Sequence, residues 1–293
     1  MTRPSEAWSG FWEHEPAANS GATLANLPRP LRDLLDAPWN DLARSLPAKA
    51  KVLDLATGGG AVLDHLRSKR RDLQLFGVDA APTLPKKAGM NLKGGVYTHR
   101  LPFPDYRFQA VTSRFGIEYG DIDAGAAEAA RVLQQGGYIY MLVHHAGSKV
   151  LEHNRARHAA LRWAAFESGW VDKALSVADA RKSMAMPTPA AFGKAAVDAR
   201  ARFPQQTAAW EFLTGLNQLL SAGATASHIA ALRQQAEREL IRLETLFAAA
   251  CDNNRLSRLT GVLEKCGLKI DPPDSVDEPD GTALAWLVKG RRL

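Results

Sequence analysis

Two aspartates, Asp54 and Asp79, stand on either side of three successive glycines, Gly58 to Gly60. Glycines let backbone N–H groups come closer to a ligand than a side chain would permit. A carboxylate that ends a strand can accept both hydroxyls of a ribose, and a carboxylate ahead of the loop attracts a cation. These residue types in this order predict a site for an adenosine-containing ligand with a cationic, amino-acid-like end.

The elements that must position these aspartates lie within residues 51–79. A short apolar run predicts a buried strand over 52–55, and the glycine turn, an amphipathic helix and a second strand over 73–78 follow. This order is typical of one βαβ unit with parallel strands. Ligands of such sheets bind at the carboxyl ends of the strands, where both aspartates stand.

A dinucleotide is the first alternative ligand. Its fingerprint requires G-x-G-x-x-G, but Leu63 stands where the third glycine should follow Gly58 and Gly60. The phosphates of a dinucleotide would also be repelled by the charge of Asp54. The spacing therefore favours a ligand that carries a cation instead of a pyrophosphate.

Four segments in order resemble the motifs of class I S-adenosylmethionine-dependent methyltransferases. VLDLATGGG resembles the first motif and GVDAAP the second, and the likeness continues through RLPFPDYRFQAVTSRFGIEY and AARVLQQGGYIYMLVHH. It covers residues 51–145 and resumes near the C-terminus. The resemblance implies an α/β fold with a doubly wound, mostly parallel seven-stranded sheet and helices on both faces. It also implies S-adenosyl-L-methionine as cofactor, S-adenosyl-L-homocysteine as product and a small-molecule O, N or C nucleophile as methyl acceptor.

The resemblance also assigns cofactor-binding residues at the ends of the first four strands. The chain departs from the family pattern at Ala56, which replaces the first glycine, and at Gln109, where an acid is usual. It also lacks the acid that touches adenine after strand three, so adenine must be held by backbone groups or another side chain. The predicted cofactor-binding residues are Asp54, Ala56, Thr57, Gly58, Gly60, Asp79, Ala80, His99, Arg100, Ser113, Arg114 and Phe115.

Candidate catalytic residues stand where strands four and five end. His144 or His145 could act as a general base if the acceptor must lose a proton, and Glu118 is the second candidate. The alternative is a strand-end histidine bonded to backbone and a surface glutamate. A metal is not predicted, because His153 and His158 do not share one helix face and no cysteine joins them.

Three parts of the chain are predicted from its composition. Residues 1–50 form an N-terminal helical segment, which prolines break into short helices and which covers the cofactor site or packs on the sheet. Residues 51–148 and 251–293 form the Rossmann-like core, whose last two strands (268–271 and 282–289) flank a polar loop. Alanine-rich residues 149–250 form an all-helical insert between strand five and the last core helix, which resembles the cap of small-molecule methyltransferases.

Bulk properties favour a cytoplasmic monomer or homodimer. No apolar run is long enough to cross a membrane, and the first residues lack the apolar region of a signal peptide. Cys251 and Cys266 lack the spacing of a zinc site and suit a reducing compartment. The net charge of +6 is scattered in pairs, which is typical of a solvated surface.

Two other functions remain open. A nucleic-acid (RNA) methyltransferase that modifies base nitrogens usually places an Asp/Asn-Pro-Pro-aromatic motif after strand four, where this chain has SRFGIEY. A catalytically degenerate S-adenosylmethionine-binding module would act through its helical insert. Titration with S-adenosylmethionine tests whether the chain still binds the cofactor despite its departures from the family pattern.

Overall fold

A computed structural model of the chain describes residues 28–184 and 186–293. Eight strands of these residues form one sheet. They are β1 (Lys51–Leu55), β2 (Gln74–Val78), β3 (Met90–Lys93), β4 (Phe108–Arg114), β5 (Leu133–His144), β6 (Leu268–Ile270), β7 (Asp274–Asp277) and β8 (Ala283–Arg292).

The sheet is doubly wound and mostly parallel. Its order is β3-β2-β1-β4-β5-β8-β6, with β7 also paired to β8. Strands β1 to β5 pair in parallel, whereas β8 runs antiparallel to β5, β6 and β7. The predicted fold class is confirmed.

The prediction of seven strands differs from this sheet by one, because part of the predicted loop forms β7. Strand β6 pairs with one end of β8 and β7 with the other, so both lie along the same edge. Pro272 and Pro273 stand between them. Proline has no N–H to donate to the sheet, so the edge strand is divided into two short pieces.

Helices cover both faces of the sheet. One core cluster joins α3 (Ile122–Val132) and α9 (Asn253–Lys265) to the strands. A second cluster joins α1 (Arg29–Ser45) and α2 (Ala61–Lys69) to them. Each helix presents one apolar stripe to the sheet, as amphipathic helices of α/β proteins do.

Helix α1 is longer than its prolines predict. Pro30 stands in its first turn, where no N–H is needed, but Pro38 lies inside it. Proline inside a helix costs about 3 kcal/mol. Trp39 and Leu42 of the same helix are completely buried, and burial of such side chains supplies a comparable free energy. The predicted covering role of Trp8, Phe11 and Trp12 lies outside the described residues.

The described residues divide into two compact units, one of 28–149 with 246–293 and one within 150–245. The second is helical and has its own apolar core, rich in alanine. The helices between β5 and α9 are α4 (Lys149–Arg162), α5 (Trp170–Ala180), α6 (Ala191–Arg202), α7 (Ala208–Ser221) and α8 (Ala226–Ala249), with a π-helical turn (Trp163–Glu167) after α4. Among the described helices, none is both long and apolar enough to span a bilayer.

Candidate active site

Asp54 lies near the end of β1 and is buried. Its Oδ2 accepts a hydrogen bond from the Thr57 hydroxyl (2.7 Å), and its Oδ1 accepts one from the Thr112 hydroxyl (2.7 Å). Burial raises the pKa of Asp54 to about 7, although both hydroxyls and the charge of Arg114 act in the opposite direction. The carboxylate therefore lies in a preformed cradle but is costly to ionise without a cationic partner.

The loop after β1 takes left-handed backbone conformations. Gly58 and Gly60 have φ values of +49° and +79°, and Ala56 has a φ of +50°. Ala56 thus adopts the conformation for which glycine is favoured, at the position where the family has glycine. Gly60 precedes the first turn of α2, so the loop leads directly into a helix N-terminus.

The loop leaves no room for a side chain at Gly116, which follows β4. A Cβ built on Gly116 would lie 2.4 Å from the Cβ of Ala56. We expect Gly116→Ala to lower the free energy of unfolding by about 1–3 kcal/mol, as overpacking does. Urea unfolding of the variant and the wild type measures this difference in free energy.

A matched control is Gly261→Ala in α9, where a built Cβ meets nothing within 4 Å. Alanine is the better helix former by about 1 kcal/mol, so this variant should be more stable. Equal stability of the two variants would show that the Ala56 contact is relaxed in solution.

Asp79 follows β2 and reaches across to the same loop. Its Oδ2 accepts the N–H of Gly58 (2.8 Å), and its Oδ1 accepts that of Ala81 (2.9 Å). Burial raises the pKa of Asp79, and the hydrogen bonds from Ala81 and Gly58 oppose the shift. The charge of Asp79 also contributes to the raised pKa of Asp54, so the two carboxylates are neighbours.

A third charge, Arg114, ends β4 beside Asp54. Its Nη1 donates to Asp36 of α1 (3.0 Å). The Asp36 carboxylate also lies 3.6 Å from the ring of His65 in α2, and that ring contacts the side chain of Asn40 (3.0 Å). The Arg114 side chain is 10% exposed. Burial lowers its pKa, which the charges of Asp36 and Asp54 oppose. Its Nε is buried without a hydrogen-bond partner among the described residues.

Glu118 and His144 meet where β4 and β5 end. The Oε1 of Glu118 accepts the backbone N–H of His144 (3.0 Å) and lies 2.8 Å from the ring Nδ1 of the same residue. Glu118 is completely buried, which excludes the alternative of a surface glutamate. The ring of His144 lies against Phe115, with 4.5 Å between centroids, and against Tyr119 at 5.7 Å.

Some predicted residues have local structural roles. The Ser113 hydroxyl donates to the Leu55 carbonyl (3.1 Å) and accepts the N–H of Ile117 (3.0 Å), so it ties β1 to the turn after β4. His99 and Arg100 are exposed in the turn after β3, where His99 stacks on Tyr97. Contacts and register bring the other predicted residues of the first four strand ends together. These are Asp54, Ala56, Thr57, Gly58, Gly60, Asp79, Ala80, Arg114 and Phe115.

Sequence reasoning missed Thr112 and Asp36. Thr112 is directly opposite Asp54 in the pairing of β1 with β4, a register that only the folded sheet fixes. Nothing in the sequence marks Asp36, because its partner Arg114 lies far along the chain. No group of three or more His, Cys, Asp or Glu side chains within 28–184 and 186–293 could hold a metal.

Comparison with known proteins agrees with this geometry. Residues 53–141 match the family described as "Methyltransferase domain". The demethylmenaquinone methyltransferase of Thermotoga maritima is 37% identical over 97 residues, which are 31% of this chain and 42% of that protein. The ubiquinone/menaquinone biosynthesis C-methyltransferase UbiE of Geobacter sulfurreducens is 34% identical over 104 residues, 31% of this chain and 41% of that protein.

The aligned part of the chain thus spans less than half the length of these two curated relatives. A solved SAM dependent methyltransferase from Aquifex aeolicus aligns with 93% of this chain and 98% of its own, at 10% identity and a TM-score of 0.44. The family match runs from β1 into β5, including Asp54 and Asp79, within a doubly wound, mostly parallel sheet. Residues 53–141 of the chain, which carry Asp54 and Asp79, thus match a methyltransferase domain.

Proposed function

We propose that the protein transfers a methyl group from S-adenosylmethionine to a small molecule. The observation that carries the proposal is the pair Asp54 and Asp79, two buried carboxylates on either side of one left-handed glycine loop. They stand at the carboxyl ends of adjacent parallel strands, the place where such sheets bind ligands. The curated relatives are named for methyl transfer to demethylmenaquinone or in quinone biosynthesis, which supports a small acceptor.

The charges of the site fit the two ends of this cofactor. Its methionine end carries an ammonium, which suits Asp54, and a carboxylate, which suits the guanidinium of Arg114 with its unpartnered Nε. The two ribose hydroxyls can donate to the carboxylate of Asp79, whose oxygens have acceptor capacity beyond the backbone bonds they make. A pyrophosphate at the glycine loop would lie beside the carboxylate of Asp54, so the site does not suit a dinucleotide.

When bound, S-adenosylmethionine supplies a sulfonium methyl group as the electrophile. The residues of the chain bind the cofactor, fix its orientation and exclude water, which accounts for a large part of the rate in such displacements. Thr57 and Thr112 hold the carboxylate of Asp54 in place before the cofactor arrives. The positive φ of Ala56 and Phe115 shapes the backbone where β1 and β4 end.

Calorimetric titration of the full chain with S-adenosylmethionine and with S-adenosylhomocysteine tests the proposal. We expect both to bind with dissociation constants well below millimolar. Failure of both to bind would refute the proposed function. Several predictions from the sequence stay predictions: the cofactor contacts of His99 and Arg100, the covering roles of residues 1–50 and 149–250, cytoplasmic location, and a monomeric or homodimeric state.

A further inference from the structure

We propose that His144 and Glu118 form a base dyad that removes a proton from an acidic O–H group of the methyl acceptor. The acceptor is then a phenol or an enol, not an aliphatic alcohol or an amine. This inference rests on the proposed function, because it names the class of substrate that the same site would methylate.

The hydrogen bonds fix which nitrogen of His144 is available. Oε1 of Glu118 already accepts the backbone N–H of His144, so it is an acceptor, and the ring Nδ1 at 2.8 Å is its second donor. With the proton on Nδ1, the lone pair of the neutral imidazole is on Nε2. A buried carboxylate that orients a histidine and stabilises its protonated form is the arrangement found in base dyads and triads.

The ring of His144 lies against residues that follow β4, and this turn adjoins the glycine loop. Phe115 and Tyr119 contact it, and its side chain is 16% exposed, so it is sheltered but reachable. Phe115 itself follows Arg114, and the next residue, Gly116, lies against Ala56 of the glycine loop. The base therefore adjoins the residues assigned to the methionine end of the cofactor, beside aromatic faces suited to a planar acceptor.

The other groups that face Glu118 do not compete for this role. Arg255 of α9 donates from Nη2 to the Glu118 backbone carbonyl (2.6 Å). Burial, together with the charge of Glu118, raises the pKa of the Cys251 thiol to about 12, so Cys251 is neither a base nor a nucleophile near neutral pH. The neighbouring His145 accepts the N–H of Gly147 at Nδ1 (2.9 Å) and stacks on Trp286, with 4.4 Å between ring centroids.

The acidity of the acceptor follows from the strength of an imidazole base. An imidazole has an ordinary pKa of about 6.5 and a phenol one of about 10, so proton transfer from a phenol crosses a gap of only a few pKa units. An aliphatic alcohol is close to water, at about 15.7, which is too far. An amine acceptor is already a nucleophile in its neutral form and needs no such base.

In the reaction, the acceptor O–H bond breaks, the proton moves to Nε2, and the electron pair stays on the acceptor. The acceptor oxygen, or the carbon conjugated with it, then forms the bond to the methyl carbon, while the S–C electron pair stays on sulfur. The imidazolium is paired with Glu118 and returns its proton to water. When a phenol is methylated at carbon, the proton on that carbon is lost afterwards to water, and its C–H electron pair restores the aromatic ring.

The tautomer of His144 can be measured without any substrate. Nitrogen-15 NMR of the histidine-labelled full chain at pH 7.5, with the His144 signals assigned from His144→Phe, should show a protonated Nδ1 and an unprotonated Nε2. In Glu118→Gln, which lacks the charge, the Nε2-protonated form should gain population. A wild-type His144 protonated at Nε2 alone would overturn the proposal.

The acceptor class is tested with three probes of similar size: 1-naphthol, 1-naphthylmethanol and 1-naphthylamine, each with methyl-labelled S-adenosylmethionine. We expect label in 1-naphthol, at carbon or oxygen, and at most traces in the other two. His144→Gln should lower kcat about 100-fold or more. Glu118→Gln, which changes a positioning residue, should lower kcat, leave the KM for S-adenosylmethionine within about twofold and alter the pH profile of kcat. His145→Gln is the comparison: a loss of kcat as large as that of His144→Gln would assign the base to His145 and overturn the proposal.

Three further results would overturn the proposal: no label in 1-naphthol, equal labelling of 1-naphthylmethanol or 1-naphthylamine, or full activity of His144→Gln. Calorimetric binding of S-adenosylmethionine to the same samples separates these results from failure of the proposed function. If the cofactor binds, only the assignment of the dyad and the acceptor has failed.

Discussion

Replacing Asp79 with asparagine is expected to weaken binding of S-adenosylmethionine about 10- to 150-fold. Hydrogen bonds to a charged group are worth about 1.5–3 kcal/mol, and asparagine removes the charge that receives the ribose hydroxyls. Its amide would also turn a donor toward the N–H of Gly58 or Ala81, both of which donate to Asp79. Calorimetric titration of Asp79→Asn measures the loss.

The matched control is Asp72→Asn at the opposite end of the same strand. Asp72 precedes β2, where it pairs with Arg70 and accepts the N–H of Lys49. It lies at the amino end of the strand, away from the edge where ligands bind, so cofactor affinity should stay at the wild-type level. Equal affinity of both variants and the wild type would show that Asp79 does not hold the cofactor.

Asp54→Asn is expected to have opposite effects on stability and on binding. The folded protein holds Asp54 at a pKa of about 7, against an ordinary value of 3.8, so ionisation of Asp54 is costly in the ligand-free fold. Asparagine has nearly the same shape and can still bond to the hydroxyls of Thr57 and Thr112. Above pH 7 the variant should therefore be more stable than the wild type, by about 4 kcal/mol at most.

The raised pKa of Asp54 determines the direction in which the stability of the two proteins changes with pH. Because the folded-state pKa is raised, the stability contributed by protonated Asp54 is fully present below the ordinary pKa of 3.8 and is lost as pH rises toward about 7. The difference in unfolding free energy between variant and wild type should therefore grow from about pH 4 to about pH 7 and then stay constant. Denaturant unfolding at several pH values measures it, and a difference independent of pH would contradict the raised pKa.

Cofactor affinity should follow the opposite trend. The ammonium of S-adenosylmethionine requires ionised Asp54, so wild-type affinity should increase as pH rises through about 7, by up to about tenfold per pH unit below it. At pH 7.5, Asp54→Asn should bind about 10- to 150-fold more weakly, whereas at pH 5.5 the two proteins should differ much less. Asp72→Asn is the comparison, because its affinity should change with pH as that of the wild type does.

The sequence by itself determined the βαβ unit, the order of the motifs and the places of Asp54 and Asp79. These features are local: apolar runs define the strands, glycines define the turn, and the residue after a strand stands at the end of the sheet. For the same reason the helical character of 149–250 followed from composition and periodicity. The family resemblance added the doubly wound, mostly parallel sheet, which the structure confirms.

Only the tertiary structure decided which distant residues become partners. It joined Glu118 to His144, Arg114 to Asp36 and Thr112 to Asp54, pairs that no spacing in the chain predicts. It also kept α1 helical through Pro38 and divided the edge strand at two prolines. Burial and register are properties of the packed sheet, so the charge states and orientations that depend on them cannot be obtained from sequence patterns.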